Sequence, residues 1–124
     1  MFLGQYSSAM EAVKQFDDLI PDALIRINSP PMADFFEGYY GLKYHALIRF
    51  GKWEEILDMP APNDPDLYLV TTAIYRYARA LAYAASGDVL SADTEQKLFK
   101  HAFEKVPETR LMFNNKCSDL LKIA

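Results

Sequence analysis

The sequence predicts an all-α fold built as a stack of helical hairpins, and three observations carry that expectation. Apolar residues recur at intervals of three and four, the period of one helix face. Residues 41–57 read GLKYHALIRFGKWEEIL, a helical run that ends at Gly51 and a second that begins at once with Lys52-Trp53-Glu54-Glu55-Ile56-Leu57. That glycine corner has counterparts at Gly4 and Gly87.

The elements follow in order. Ala9, Val13, Phe16 and Ile20 mark the buried face of a first helix, with Glu11, Lys14, Gln15 and Asp18 opposite. Pro21 ends it, because proline lacks a backbone donor and disfavours helix in the residue before it. Residues 22–28 allow one further short turn. Ser29-Pro30-Pro31 is a start signal for a helix that runs through Arg49 or Phe50. Phe36, Tyr40, Tyr44 and Leu47 share its face, and Gly38 and Gly41 lie three apart on another. Each glycine costs roughly 1 kcal/mol against alanine in a helix, so the pair points to close backbone approach or a ligand. After Gly51 a short helix is stopped by Pro60, Pro62 and Pro65, which make a stiff loop. Asp64 then caps the next helix and Pro65 starts it.

Residues 67–86 are the most hydrophobic segment, with Val70, Ile74, Tyr77, Ala78, Leu81 and Ala85 on one broad face. Gly87 ends that helix and Asp88 caps the following one, whose inward residues are Leu90, Leu98, Phe99 and Ala102. Pro107 breaks it and begins a last helix with the face Phe113, Cys117, Leu120, Leu121 and Ala124.

Composition sets the outer bounds. A chain of 124 residues with 51% hydrophobic residues fits one domain, 1–124, with a real core. Eight Tyr and eight Phe suit half-buried seams between helices. The net charge of −4 comes without any Lys/Arg block, which argues against nucleic acid as a partner. The single Cys117 excludes an internal disulfide framework and a cysteine-rich metal site, and it points to a reducing, cytoplasmic compartment. The longest apolar stretch, 67–85, carries Arg76 and Arg79 in its middle, so no membrane span is expected.

Aligned on the corners, the chain repeats itself. Gly4 is followed two residues later by Tyr6 and five later by Ala9; Gly51 by Trp53 and Ile56; Gly87 by Val89 and Ala92. In this arrangement glycine takes the left-handed backbone that closes a helix, and the residue two later plugs the base of the hairpin. Gly51 and Gly87 stand 36 residues apart, close to the roughly 34-residue tetratricopeptide period. The 47 residues from Gly4 to Gly51 need an insertion.

On these residues the chain resembles the tetratricopeptide-repeat family. Gly4, Tyr6, Ala9, Phe16 and Pro21 fit its pattern in the first repeat, and Ala80, Tyr83, Gly87, Ala92 and Phe99 in the third. The middle repeat departs, with Lys43, Tyr44 and Ile56 where that pattern has Leu, a small residue and Ala. The stretch 49–57, the prolines at 60 and 62, and residues 77–82 are also similar to segments of long bacterial proteins of this family. The resemblance implies a right-handed α-α superhelix of about three hairpins. It also implies a non-catalytic protein-interaction module that binds a peptide or helical segment in a concave groove. Gly38, Gly41, His45 and Arg49 would face that groove from one helix, and Tyr77 and Leu81 from the next. Small residues admit a backbone, Arg pairs with a carboxylate, and Tyr supplies contact area. The alternative for His45 and Arg49 is that they are ordinary helix-surface residues.

Phe2, Leu3 and the face of residues 113–124 have no polar cap, so the chain is expected to be a piece of a longer one or to pair with another copy. Self-assembly through the ends is therefore the second functional reading, and a helical accessory domain of a larger enzyme the third.

Chemistry beyond binding finds little support. His45 and His101 are far apart, with no second His or Cys at ligand spacing, so neither metal nor cofactor is expected. Adjacent carboxylates such as Glu54-Glu55 diverge on a helix, and no nucleophile, base and orienter cluster. Arg76 and Arg79 are expected to be satisfied by Glu54, Glu55 or Asp58 across the hairpin, with an anion clamp as the alternative.

Overall fold

A computed structural model of the chain describes residues 2–28, 31–112 and 115–123, with side chains from Gln5 onward. The protein is mostly helical. Helix α1 spans Phe2–Leu19, α2 Asp22–Ile25, α3 Met32–Phe36, α4 Leu42–Arg49, α5 Trp53–Asp58, α6 Leu69–Ala85 and α7 Val89–Glu104. A short antiparallel hairpin, β1 Leu111–Met112 and β2 Asn115–Lys116, leads into α8, Cys117–Leu121.

Two of the three expected corners are equivalent. Gly51 has φ 66° and Gly87 has φ 83°. Each closes its helix with the same pair of bonds. Gly51 N donates to Ile48 O at 3.0 Å and Lys52 N to Leu47 O at 2.9 Å; Gly87 N donates to Ala84 O at 3.1 Å and Asp88 N to Tyr83 O at 3.0 Å. The six-residue closure is a Schellman motif, for which glycine is the least strained choice.

Gly4 is not a corner, because α1 runs straight through it. Its neighbours favour helix, and one glycine near a helix end costs too little to break it. Tyr6 does plug a hairpin base, but that of Gly51. Its ring stands edge-on to Phe50 at 5.3 Å, Lys52 Nζ lies 4.6 Å from its centre, and its hydroxyl donates to Glu55 at 2.7 Å.

The expected helix from 31 to 49 is divided. Between α3 and α4 the chain tightens into a 3-10 helix, Glu37–Gly41. The start signal at Ser29 and Pro30 lies outside the described residues. The cause is packing at the glycines. A Cβ on Gly41 would sit 2.4 Å from Ile74 Cδ1, and one on Gly38 would sit 3.1 Å from Cys117 Sγ. The close backbone approach expected of this pair is real.

Helix α6 begins at Leu69 rather than at Pro65, since Asp64 closes only a turn, accepting from Leu67 N and Tyr68 N. Its buried side is Val70, Thr71, Ala73, Ile74, Tyr75, Ala78 and Ala82. Tyr77, Leu81 and Ala85, expected on that face, flank it instead. Asp88 caps α7 as expected, accepting from Ser91 N at 3.1 Å. Leu90 and Leu98 face outward, at 83% and 38% exposure, and Glu95 turns inward.

The reason is charge pairing. Arg76 and Arg79 both bond Glu95, at 3.1 and 2.9 Å, and not the acidic residues of α5. Arg79 also donates to Leu57 O at 3.0 Å and Tyr83 Oη at 3.0 Å.

The continuous last helix expected after Pro107 is replaced by the β1–β2 hairpin and the single turn of α8. Cys117, Leu120 and Leu121 keep the spacing of one face, while Phe113 and Ala124 lie outside the described residues.

The main core joins Tyr44, Leu47, Ile56, Val70, Ile74, Tyr75, Ala78, Ala102 and Cys117. A smaller cluster of Ile20, Ile25 and Tyr68 packs with Phe16 and Tyr39 beneath α1 and α2.

Candidate functional site

A buried salt-bridge network fixes the frame in which the site stands. Tyr68 precedes α6 without capping it, so the first N–H groups of that helix need an outside acceptor. Glu37, fully buried, supplies one across 33 residues of chain. Its Oε2 accepts from Val70 N at 3.0 Å, and its Oε1 accepts from Thr71 N at 2.7 Å and Thr71 Oγ1 at 2.6 Å. Arg110 completes the network, donating to Glu37 Oε2 at 3.0 Å, Leu67 O at 2.8 Å and Asp34 Oδ1 at 2.9 Å. Burial pulls the Glu37 pKa up, and the Thr71 and Val70 bonds with the Arg110 charge pull it back. The carbonyl of Arg110 accepts from Cys117 N at 2.8 Å, which ties α8 to the same frame. Nothing in the local pattern announces this network beyond two lone charges in apolar surroundings, Phe36-Glu37-Gly38 and Arg110-Leu111-Met112.

Above that frame lies an apolar cavity of about 310 Å³. His45 from α4, then Val70, Ile74 and Tyr77 from α6, form one wall. Met112, Cys117, Leu120, Leu121 and Ile123 form the other. Leu120 and Ile123 are exposed, at 36% and 84%, and part of His45 is open to solvent, so the mouth lies among these three. Burial of the rest of the imidazole lowers the His45 pKa.

Tyr77 is shared with a second depression of about 510 Å³ between α6 and α7. Its floor is Ala80, Ala84 and Ala92, and its apolar sides are Leu81, Val89 and Phe99. Asp93, Gln96 and Lys100 make its polar edge. The Tyr77 ring packs at 6.1 Å from Phe99, which holds it upright between the two hollows.

The six expected site residues therefore separate into three groups. His45 lines the cavity, Leu81 the α6–α7 depression, and Tyr77 both. Gly38 and Gly41 are buried behind it, where their missing side chains make room for Cys117, Met112 and Ile74, all three of which line the cavity. Arg49 is exposed one turn beyond His45 and borders neither hollow.

A third hollow is more polar than these two. It is bordered by Asp22, Arg26, Tyr40, Lys43, Tyr68 and the Pro60–Pro62 loop. Arg26 bonds Asp22 at 2.6 Å and Asp64 at 3.0 Å, the Tyr68 hydroxyl donates to Asp22, and Lys43 Nζ lies 5.3 Å from the centre of the Tyr44 ring.

Cys117 is buried, at 1% exposure. Desolvation first, and the Glu37 charge second, push its thiol up to about 11. The thiolate is the reactive form, so this is an inert sulfur at neutral pH. Its reaction with a chromogenic disulfide reagent is expected to be at least about 100-fold slower in the folded protein than in urea; equal rates would contradict this burial. Among the described residues, no three His, Cys, Asp or Glu side chains are grouped to hold a metal ion. No helix among them is long and apolar enough to cross a membrane.

No protein-family model, curated protein or solved structure matches the chain.

Proposed function

We propose that this chain is a non-catalytic protein-interaction module of tetratricopeptide-like architecture, and that it holds an amphipathic helical segment of a partner protein. The observation that carries the reading is that the apolar cavity and the α6–α7 groove lie side by side and share Tyr77 as a lining residue. Ala80, Ala84 and Ala92 let a helix axis approach closely, within about 8–10 Å of its neighbours. The cavity beside Tyr77 accepts one large apolar side chain of that helix. A groove that takes an apolar stripe is a common mode of helix recognition.

The two hairpins closed alike by Gly51 and Gly87, 36 residues apart, support the repeat architecture, with two clear hairpins rather than three. The unreactive Cys117 beside His45 supports a binding role over catalysis. The acidic net charge favours a protein partner over nucleic acid, and the cytoplasm suits the lone thiol.

The test is a panel of amphipathic helical peptides read by fluorescence anisotropy. Tyr77→Ala and Leu81→Arg are each expected to weaken the best binder at least about tenfold, as central anchors do. Arg49→Ala is expected to change it less than about twofold. Unchanged affinity in Leu81→Arg would remove the groove from the site.

Self-assembly through the ends remains the second reading, because Leu120 and Ile123 of the last segment are 36% and 84% exposed. Sedimentation across a wide concentration range tests it, and a monomer throughout would remove it.

A further inference from the structure

We infer that His45 makes occupation of the apolar cavity pH-dependent, so that the module holds its partner at neutral pH and releases it on acidification. This rests on the docking reading above and adds a proton to it.

The argument starts from what surrounds the imidazole. From α6 the cavity presents Val70, Ile74 and the phenol of Tyr77; from β1, Met112; from α8 and the residues after it, Cys117, Leu120, Leu121 and Ile123. Among the described residues no carboxylate lines the cavity, so none of these side chains balances an imidazolium. On its own helix the charged residues are Lys43, two before His45, and Arg49, four after it, and both have the wrong sign.

In the free protein part of the ring reaches water at the mouth, and the charged form is solvated there. An apolar side chain seated in the cavity covers that part. A charge left without water or a partner is strongly disfavoured, so the bound state requires neutral histidine. Burial already lowers the His45 pKa in the free protein, and an occupant lowers it further.

The direction follows. Above the free-state pKa both states are neutral and affinity is independent of pH. As pH falls through that value the free protein takes up a proton that binding must expel, and Kd rises. An ordinary histidine value lies near 6.5, and the His45 value is below it. Kd is therefore expected to be higher at pH 5 than at pH 7.5, by less than the roughly 30-fold that an unshifted histidine would give.

The experiment uses the full chain and two probes, an 18-residue amphipathic Leu/Lys/Gln helix and the neutral polarity-sensitive dye Nile red. Kd is measured for both at several pH values in the wild type, His45→Leu, His45→Gln and His101→Gln. The expected result is a Kd that rises on acidification in the wild type and in His101→Gln, and stays flat in both His45 variants. His45→Gln keeps the ring's polarity without its titration, so it separates charge from shape. Wild-type binding that ignores pH overturns this inference and leaves the docking reading standing. A pH dependence that persists in His45→Leu does the same. No binding of either probe at any pH overturns both.

Discussion

Arg110→Ala is expected to lower the unfolding free energy by about 3–5 kcal/mol, the usual cost of removing one partner of a buried ion pair. Arg110 is 7% exposed and Glu37 is fully buried, so water cannot take over the lost bonds. The variant leaves Glu37 holding the α6 N-terminus without its cation, and it leaves Leu67 O without its donor. Urea denaturation at neutral pH measures the loss. The deficit has a sign in pH. Without Arg110 the Glu37 pKa rises further, because a downward pull is gone while burial remains. The neutral carboxyl needs no cation, so the gap between variant and wild type is full above the raised Glu37 value and narrows as pH falls through it. A gap that stays constant to pH 4 would mean that Arg110 acts through packing alone. In a double-mutant cycle with Glu37→Gln the two losses are expected not to add, because each leaves the other partner stranded.

This network also explains why part of the fold was illegible in sequence. Glu37 and Arg110 lie 73 residues apart, and no window contains both. The Gly51 and Gly87 closures were legible because six consecutive residues contain the whole cause. Gly4 looked the same locally, but a corner needs a chain that reverses, and α1 continues through it. The last segment misled for another reason. Cys117, Leu120 and Leu121 keep helical spacing, yet Arg110 is drawn inward and turns the chain into the β1–β2 hairpin first.

The site was legible in the same uneven way. His45, Tyr77 and Leu81 stand on helices that periodicity finds, and their approximate facing follows from that. The opposite wall, Met112 to Ile123, comes from the segment whose structure was misread. The buried face of α6 differs from the one its periodicity predicts because Glu95 is a buried partner of Arg76 and Arg79. Once Glu95 holds Arg76 and Arg79 against α6, α7 sits where Leu90 and Leu98 must point out. Tyr77 and Leu81 then remain on the open flank, and that flank is what makes the groove.

Gly41→Val is expected to cost about 1–3 kcal/mol, and its more telling effect falls on the cavity. A Cβ at position 41 would lie 2.4 Å from Ile74 Cδ1 and 3.5 Å from Ile74 Cβ. The flexible end of Ile74 gives way first, and the cavity it lines offers open space beside it. Part of the volume meant for a partner's side chain is then filled from within. Peptide affinity is therefore expected to fall by more than the stability loss explains, while Gly87→Ala, with nothing within 4 Å of its Cβ, strains the α6–α7 corner and leaves the cavity intact. Thermal melts and anisotropy titrations on the two variants separate these effects. Equal affinity in Gly41→Val and the wild type would show that the partner does not enter beside Ile74. The glycines at 38 and 41 would then serve the core alone, and the α6–α7 groove would carry the whole of the binding.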